Sequence, residues 1–209
     1  MIFEQIRTGG DRNFAYLVGD GKTNRAAVVD PSNVPALVLE RAKEHGLEVK
    51  YLINTHGHYD HTDGNSHVRS KTGAELVACG AADGETFSLG DVELKIIHTP
   101  GHTTDGICIL VSAPGESGKL MTGDTLFVGK VGGTGYGDDA RAEYDSLHDK
   151  LMTLPDETEV WPGHDYGVAP SSTIGNEKAT NPFILRESFE DFVDLKRNWP
   201  AYKQEHGIA

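Results

Sequence analysis

The sequence predicts an α/β fold whose strand ends converge on a metal centre, and two observations predict it. Apolar, strand-like runs alternate with helical stripes along the chain, and four of those runs end in Gly-containing turns that carry a His or an Asp. The first of these turns, His56-Gly57-His58-Tyr59-Asp60-His61, places four metal-liganding side chains within six residues. Imidazole and carboxylate together suit zinc, iron or manganese, and so many ionisable groups in one turn are costly without a cation to neutralise and orient them.

In chain order, residues 14–18 and 26–29 read as strands joined by Gly19-Asp20-Gly21-Lys22. Residues 34–45 carry a helical stripe of Val34, Leu37, Val38 and Ala42, closed by Gly46. The run 49–53 leads into the histidine cluster, and a helix is expected from 61 to 71. A strand at 92–97 passes through Thr99-Pro100-Gly101 to His102. Residues 107–111 read as a buried strand in which Cys108 is a small apolar core thiol. The run 120–123 ends at Asp124. A helix is expected at 141–151, with Tyr144, Leu147 and Leu151 on one face. The run 159–161 reaches His164 through Pro162-Gly163, and residues 174–179 and 183–197 are helical by pattern, broken at Asn181-Pro182.

Composition narrows the function classes. At 209 residues with 37% apolar content, the chain has enough apolar material for one good-sized core, and no linker or low-complexity segment divides it. One domain over residues 1–209 is expected, helical from about 174. The 19 basic residues stand against 32 acidic ones, and a net charge of −13 without a basic cluster repels a phosphate backbone, so no nucleic-acid partner is expected. The first residues carry no basic n-region, and no apolar run approaches a membrane span, so a cytoplasmic protein with no membrane partner is expected. Two cysteines, Cys79 and Cys108, are too few for a disulfide framework, and neither is expected to be a nucleophile.

With Asp30 in Val28-Val29-Asp30-Pro31, the 56–61 cluster, His102, Asp124 and His164, the chain resembles the metallo-β-lactamase-fold hydrolases over nearly its whole length. The resemblance implies an αββα sandwich, two mixed β-sheets flanked by helices, with the metals at one edge. It implies His56, His58 and His102 on one cation, Asp60, His61 and His164 on the second, and Asp124 between them. Two divalent ions, zinc first and iron or manganese next, are the implied cofactors, and Asp60 and Asp124 are the catalytic carboxylates. Asp30 is implied as an outer residue orienting a ligand, and a turn-forming Asp before Pro is the plainer reading of the same position. Two cations lower the pKa of a shared water and polarise a carbonyl, so the expected chemistry is hydrolysis without a Ser or Cys nucleophile. True β-lactamases commonly carry Cys or Ser where this chain has Asp124, which argues against antibiotic hydrolysis.

Within that family, Gly123-Asp124-Thr125-Leu126-Phe127 is similar to the glyoxalase II thioesterases, which hydrolyse S-acyl glutathione. The His164-Asp165-Tyr166 turn is equally similar to persulfide dioxygenases, in which a single iron is held by the residues matching His56, His102 and Asp124. The expected partner is therefore a small thioester or thiol conjugate, with persulfide oxidation as the alternative and a fold without catalysis as a third reading. The chain departs from both groups after Asp124, where a glycine-rich stretch, 129–138, replaces their basic segment. Lys130, Tyr136 and Tyr166 are the candidate substrate contacts, with a solvated lysine as the plainer reading of Lys130.

Overall fold

The computed structural model describes residues 1–77 and 81–208, so Cys79 lies outside the described residues. The chain opens with β1 (Ile2–Gly9), β2 (Asn13–Asp20) and β3 (Arg25–Val29), then α1 (Pro35–Glu44) and β4 (Glu48–Ile53). Two short helices, α2 (Tyr59–Thr62) and α3 (Asn65–Thr72), lead to β5 (Glu75–Val77). These five strands form one mixed sheet in the order β1-β2-β3-β4-β5. The edge strand β1 escapes the sequence pattern because Glu4, Gln5 and Arg7 interrupt its apolar residues. By contrast every residue of β2 is buried, the mark of a central strand covered on both faces.

The second half supplies β6 (Thr86–Ser88), β7 (Glu93–His98), β8 (Ile107–Ser112) and β9 (Lys119–Gly123). A small hairpin of β10 (Leu126–Phe127) and β11 (Lys130–Val131) precedes α4 (Asp138–Asp145). After it come β12 (Glu159–Pro162), β13 (Ser172–Thr173), α5 (Ile174–Thr180) and α6 (Phe189–His206). Six of these strands make the second mixed sheet, ordered β13-β12-β9-β8-β7-β6, with β12 parallel to β9. That parallel pairing sets the residues after β9 and after β12 side by side at one sheet end, where Asp124 and His164 follow.

Three apolar clusters define the layers. Phe14, Tyr16, Val29 and Ile53 of the first sheet meet Leu94, Ile96, Ile109 and Met121 of the second, so the inner faces pack on each other. The outer face of the first sheet, through Ala15, Leu17, Val28 and Leu52, takes Val38, Ala42 and Val68 from α1 and α3. On the far side, Cys108, Leu120 and Val160 take Leu147, Ile174 and Phe192. The order helices, sheet, sheet, helices is the expected αββα arrangement.

Three element boundaries differ from the sequence pattern, each for a local reason. The helix expected at 61–71 is split into α2 and α3 around Asp63 and Gly64. A Cβ on Gly64 would lie 1.5 Å from the Pro31 carbonyl oxygen, so only glycine lets the chain pass there, while Asp63 Oδ1 accepts from the Asn33 amide at 3.0 Å. The helix expected at 141–151 begins earlier, at Asp138, and ends as a π-helical turn over Ser146–Lys150. The helix expected at 183–197 starts only at Phe189, where Ser188 Oγ accepts from the Asp191 amide at 3.1 Å, and it runs through Pro200 to a left-handed Gly207. No helix among the described residues is long and apolar enough to cross a membrane.

Candidate metal centre

Each ligand candidate leaves the end of a strand. The segment after β4 carries His56, His58, Asp60 and His61, the turn after β7 carries His102, and Asp124 and His164 follow β9 and β12. The fold brings these residues into two abutting clusters, His56 with His58 and His102, and Asp60 with His61 and His164. His58 Nδ1 lies 3.0 Å from His56 Nε2 and 3.1 Å from His102 Nε2, and His61 Nε2 lies 3.1 Å from His164 Nε2. Asp124 faces both sets: Oδ2 is 3.6 Å from His102 Nε2 and 3.4 Å from His164 Nε2, and Oδ1 is 3.5 Å from His61 Nε2. Asp60 Oδ2 sits 3.4 Å from His164 Nε2 and 3.7 Å from His61 Nε2.

The far nitrogens of the rings decide which lone pairs point inward. His102 Nδ1 donates to the Gly133 carbonyl at 2.8 Å, and His164 Nδ1 donates to the Asp11 carbonyl at 2.8 Å. A carbonyl can only accept, so the hydrogen is on Nδ1 and Nε2 presents a lone pair to the site. His61 Nδ1 faces Asp30 Oδ2 at 3.0 Å with the same consequence. Thr55 Oγ1 donates to Asp30 Oδ2 at 2.6 Å, so its oxygen accepts from His56 Nδ1 at 3.1 Å and leaves that Nε2 bare as well.

Converging acceptors of this kind suit a cation. His56 Nε2 and His102 Nε2 both face His58 Nδ1, which can carry at most one hydrogen, and Asp124 Oδ1 is buried with no hydrogen-bond donor among the described residues. Ligands held at about 2.0–2.2 Å around a tetrahedral cation stand roughly 3.3–3.6 Å apart, close to the spacing seen here. The donor set of imidazoles and carboxylates therefore fits divalent metals. Electrostatics agree. Burial, then the neighbouring His61, pushes the His56 imidazole down to about 4, which keeps it a neutral donor. Burial also raises the Asp124 carboxyl, but the neighbouring His164 and His61 outweigh it and hold the group at about 2. At His61 burial disfavours the charged ring, yet Asp30, Asp124 and Asp60 raise it to about 9, marking a point where positive charge is strongly favoured.

Asp30, which precedes Pro31, lies against Thr55 and His61. It is buried, sits at φ +48° in the left-handed region, and accepts from the Thr55 amide at 2.9 Å as well as from Thr55 Oγ1 and His61. Sequence reasoning missed Asn13, whose Nδ2 donates to Asp60 Oδ2 at 3.0 Å and to the Asp60 carbonyl at 3.1 Å. It also missed Thr55 and Asp11. Nothing in one sequence marks such residues, because Asp11 acts through its backbone carbonyl and Asn13 only through strand pairing.

The centre opens onto a cleft of about 310 Å³ whose walls include His102, Asp124, Phe127, Lys130, Tyr136 and Tyr166. Lys130 is partly buried at the cleft wall. The 129–138 stretch is not all loop, since Gly129, at φ +75°, turns the β10–β11 hairpin and fixes Lys130 at the start of β11. Its Nζ lies 5.0 Å from the Tyr166 ring centroid and 5.6 Å from that of Phe127. Tyr166 stacks on His164 at 4.5 Å and donates its hydroxyl to Asp11 Oδ2, and Tyr136 is half exposed at the cleft mouth. A second chamber of about 520 Å³ shares Lys130 and Tyr166 with the first and adds Arg12 and Lys203.

Comparison with known proteins places this geometry. Residues 8–85 and 80–164 match the family model described as metallo-beta-lactamase superfamily. A hydroxyacylglutathione hydrolase of a Polaromonas species is 38% identical, over 93% of this chain and 93% of that protein. The human mitochondrial persulfide dioxygenase ETHE1 is 33% identical, over 88% of this chain and 76% of that one. The crystal structure of ETHE1 from Myxococcus xanthus superposes with a TM-score of 0.84 at 32% identity, covering 95% of this chain and 91% of its own.

Proposed function

Since the chain belongs to the metallo-beta-lactamase superfamily, we propose that it is a metal-dependent thioester hydrolase of the hydroxyacylglutathione hydrolase type, acting on an S-acyl conjugate of an anionic thiol. The observation that carries this reading is the pair of ligand clusters joined by Asp124 at the floor of a cleft lined by Lys130. His56, His58 and His102 would hold one divalent cation, Asp60, His61 and His164 the other, and Asp124 would face both, with zinc the best match to the donors. Bound cations supply a water of lowered pKa and polarise the thioester carbonyl.

The chain's own groups do the rest. The Asp60 carboxylate is kept ionised against its burial by the Asn13 hydrogen bond and the nearby His61 and His164, so its Oδ2 would take the proton released by the attacking water. As the C–S bond breaks, that proton would pass to the departing thiolate, leaving a free thiol and a carboxylic acid whose own proton is then lost to solvent. Lys130, Arg12 and Lys203 converge beside the two chambers, and none of them makes an ion pair among the described residues. Burial and then the charges of Lys203 and Arg12 lower the Lys130 pKa, a like-charge repulsion that an anionic substrate would relieve. In a chain of net charge −13, this local excess of cations favours a substrate with carboxylates.

Lys130→Ala is therefore expected to raise KM for an anionic thioester by roughly tenfold while leaving kcat nearly unchanged and a neutral thioester almost unaffected. Steady-state kinetics on a charged and a neutral substrate check this. Equal losses on both would assign Lys130 to the fold alone.

The ETHE1 likeness supports a second reading, a persulfide dioxygenase with one iron on His56, His102 and Asp124. The two readings separate in one experiment on untagged protein that combines metal analysis with an activity panel. Two zinc-type ions per chain and turnover of S-lactoylglutathione are expected. One iron per chain, with oxygen uptake on glutathione persulfide and no thioester turnover, would replace hydrolysis with oxidation.

A further inference from the structure

Behind His102 lies a buried ion pair that the proposed reaction does not use. Glu143 of α4 is fully buried, and Lys196 of α6 is 7% exposed at its side chain, with Nζ 2.5 Å from Glu143 Oε2. Glu143 Oε1 has no hydrogen-bond donor among the described residues. Taking both charges out of water costs several kcal/mol per ion by general estimate, and an apolar pair of similar volume would often serve stability as well or better. The placement of the pair offers a reason for it.

Lys196 Nζ also donates to the Gly132 carbonyl at 2.7 Å. The next residue, Gly133, supplies the carbonyl that accepts from His102 Nδ1 at 2.8 Å. Gly132 is wedged between the site and the ion pair: a Cβ there would meet the Asp124 carbonyl oxygen at 2.1 Å, Glu143 Oε1 at 2.9 Å and His102 Cβ at 3.1 Å. Glu143 also backs the turn that carries His102, since a Cβ on Gly101 would lie 2.4 Å from Glu143 Cβ. One turn further along, Ser146 Oγ donates to the Pro100 carbonyl at 2.8 Å. Both supports of His102, its own turn and the carbonyl that fixes its ring, thus rest on groups tied together by Lys196.

From this geometry we infer that Lys196 is a positioning residue for the metal centre: through the Gly132–Gly133 backbone and Glu143, the C-terminal helix α6 sets the orientation of His102 and hence the affinity of the cation site that contains it. The inference rests on the metal-centre reading, but not on hydrolysis, because His102 is a ligand candidate in both the two-metal and the single-iron alternatives. The neighbouring set of Asp60, His61 and His164 makes no hydrogen bond or ion pair with Lys196 or Glu143 among the described residues, so its cation should be held as before.

The test is cobalt(II) titration of metal-free protein, followed by visible absorption, with thermal unfolding of the same samples. Lys196→Met is expected to weaken one of two binding steps by roughly tenfold and to leave the other within about threefold, since it loosens the Gly132–Gly133 backbone whose carbonyl is the outer partner of His102, and losing such a partner outright commonly costs 10–100-fold in affinity. Lys196→Met alone leaves the buried Glu143 carboxyl, which burial already raises to about 7, without its partner and lowers stability for that reason. Glu143→Leu/Lys196→Met removes both charges, so its Tm should return close to wild type while the cobalt affinity stays low, because the Gly132 carbonyl still lacks its donor. Recovery of affinity together with Tm in the double variant, or parallel weakening of both steps in the single one, would make the pair purely structural and overturn the inference. The double variant decides the matter by itself if the single one does not fold. One cobalt per wild-type chain would count against the two-metal reading while leaving the test intact, as the single step would then be the one to weaken.

Discussion

Asp124→Ala is expected to lose at least one of the two bound metals and to lower thioester kcat/KM by on the order of 100-fold or more. The size of the effect follows from position. Among the described residues, Asp124 is the carboxylate whose oxygens approach rings of both clusters, with His102 on one side and His61 and His164 on the other. Alanine leaves His61, which owes part of its high pKa to Asp124, with less negative charge around it, and leaves His56 and His102 without their neighbouring anion. Elemental analysis of untagged protein, paired with kinetics on S-lactoylglutathione, reads both consequences. An unchanged metal content in a folded variant would remove Asp124 from the site and, with it, the argument for two cooperating cations.

The same contacts explain why so much of the centre was legible before any coordinates. Metal ligands must arrive from rigid supports, and strand ends followed by tight turns are visible in a single sequence as an apolar run, a Gly or Pro, and a ligating side chain. His102 after Pro100-Gly101 and His164 after Pro162-Gly163 are both of this kind. The residues that hold the ligands are another matter. Asn13 reaches Asp60 only because the start of β2 pairs with the segment at His164, and Thr55 relays between Asp30 and His56 through a hydroxyl that any threonine carries. The surroundings of Lys130, the Phe127 and Tyr166 rings, come from a hairpin and from a turn thirty-six residues on, neither of which its local sequence announces. Helix ends were misplaced for the converse reason. Pro200 is a stop signal by its chemistry, yet α6 is carried through it by the packing of Phe192 and Val193 and of the partly buried Trp199 and Tyr202 on the far core.

Asp30→Asn carries the second large expectation, and it separates an orienting carboxylate from a turn-forming one. Asparagine keeps the size of the side chain and tolerates the left-handed backbone at φ +48°, so a residue needed only for the turn should survive the change. What asparagine cannot do is accept with both termini. Asp30 Oδ1 takes the Thr55 amide and Oδ2 takes both Thr55 Oγ1 and His61 Nδ1, so either amide orientation sets an NH2 against a donor. With His61 raised to about 9 mainly through Asp30, the metal-free protein also loses a buried charge pair. Breaking such a pair costs about 3 kcal/mol or more, which for a chain of this length is a fall of roughly 6–12 °C in Tm. The direction with pH follows from the same raised pKa: the pair's contribution is complete below the ordinary histidine range and fades as pH rises through about 9, so the wild-type advantage over the variant should shrink toward alkaline pH. In the metal-loaded protein a less basic and less firmly held His61 should bind its cation 10–100-fold more weakly. Thermal unfolding of metal-free samples across pH and metal titration at neutral pH measure the two effects, and a variant matching wild type in both would return Asp30 to the role of a turn residue before Pro31.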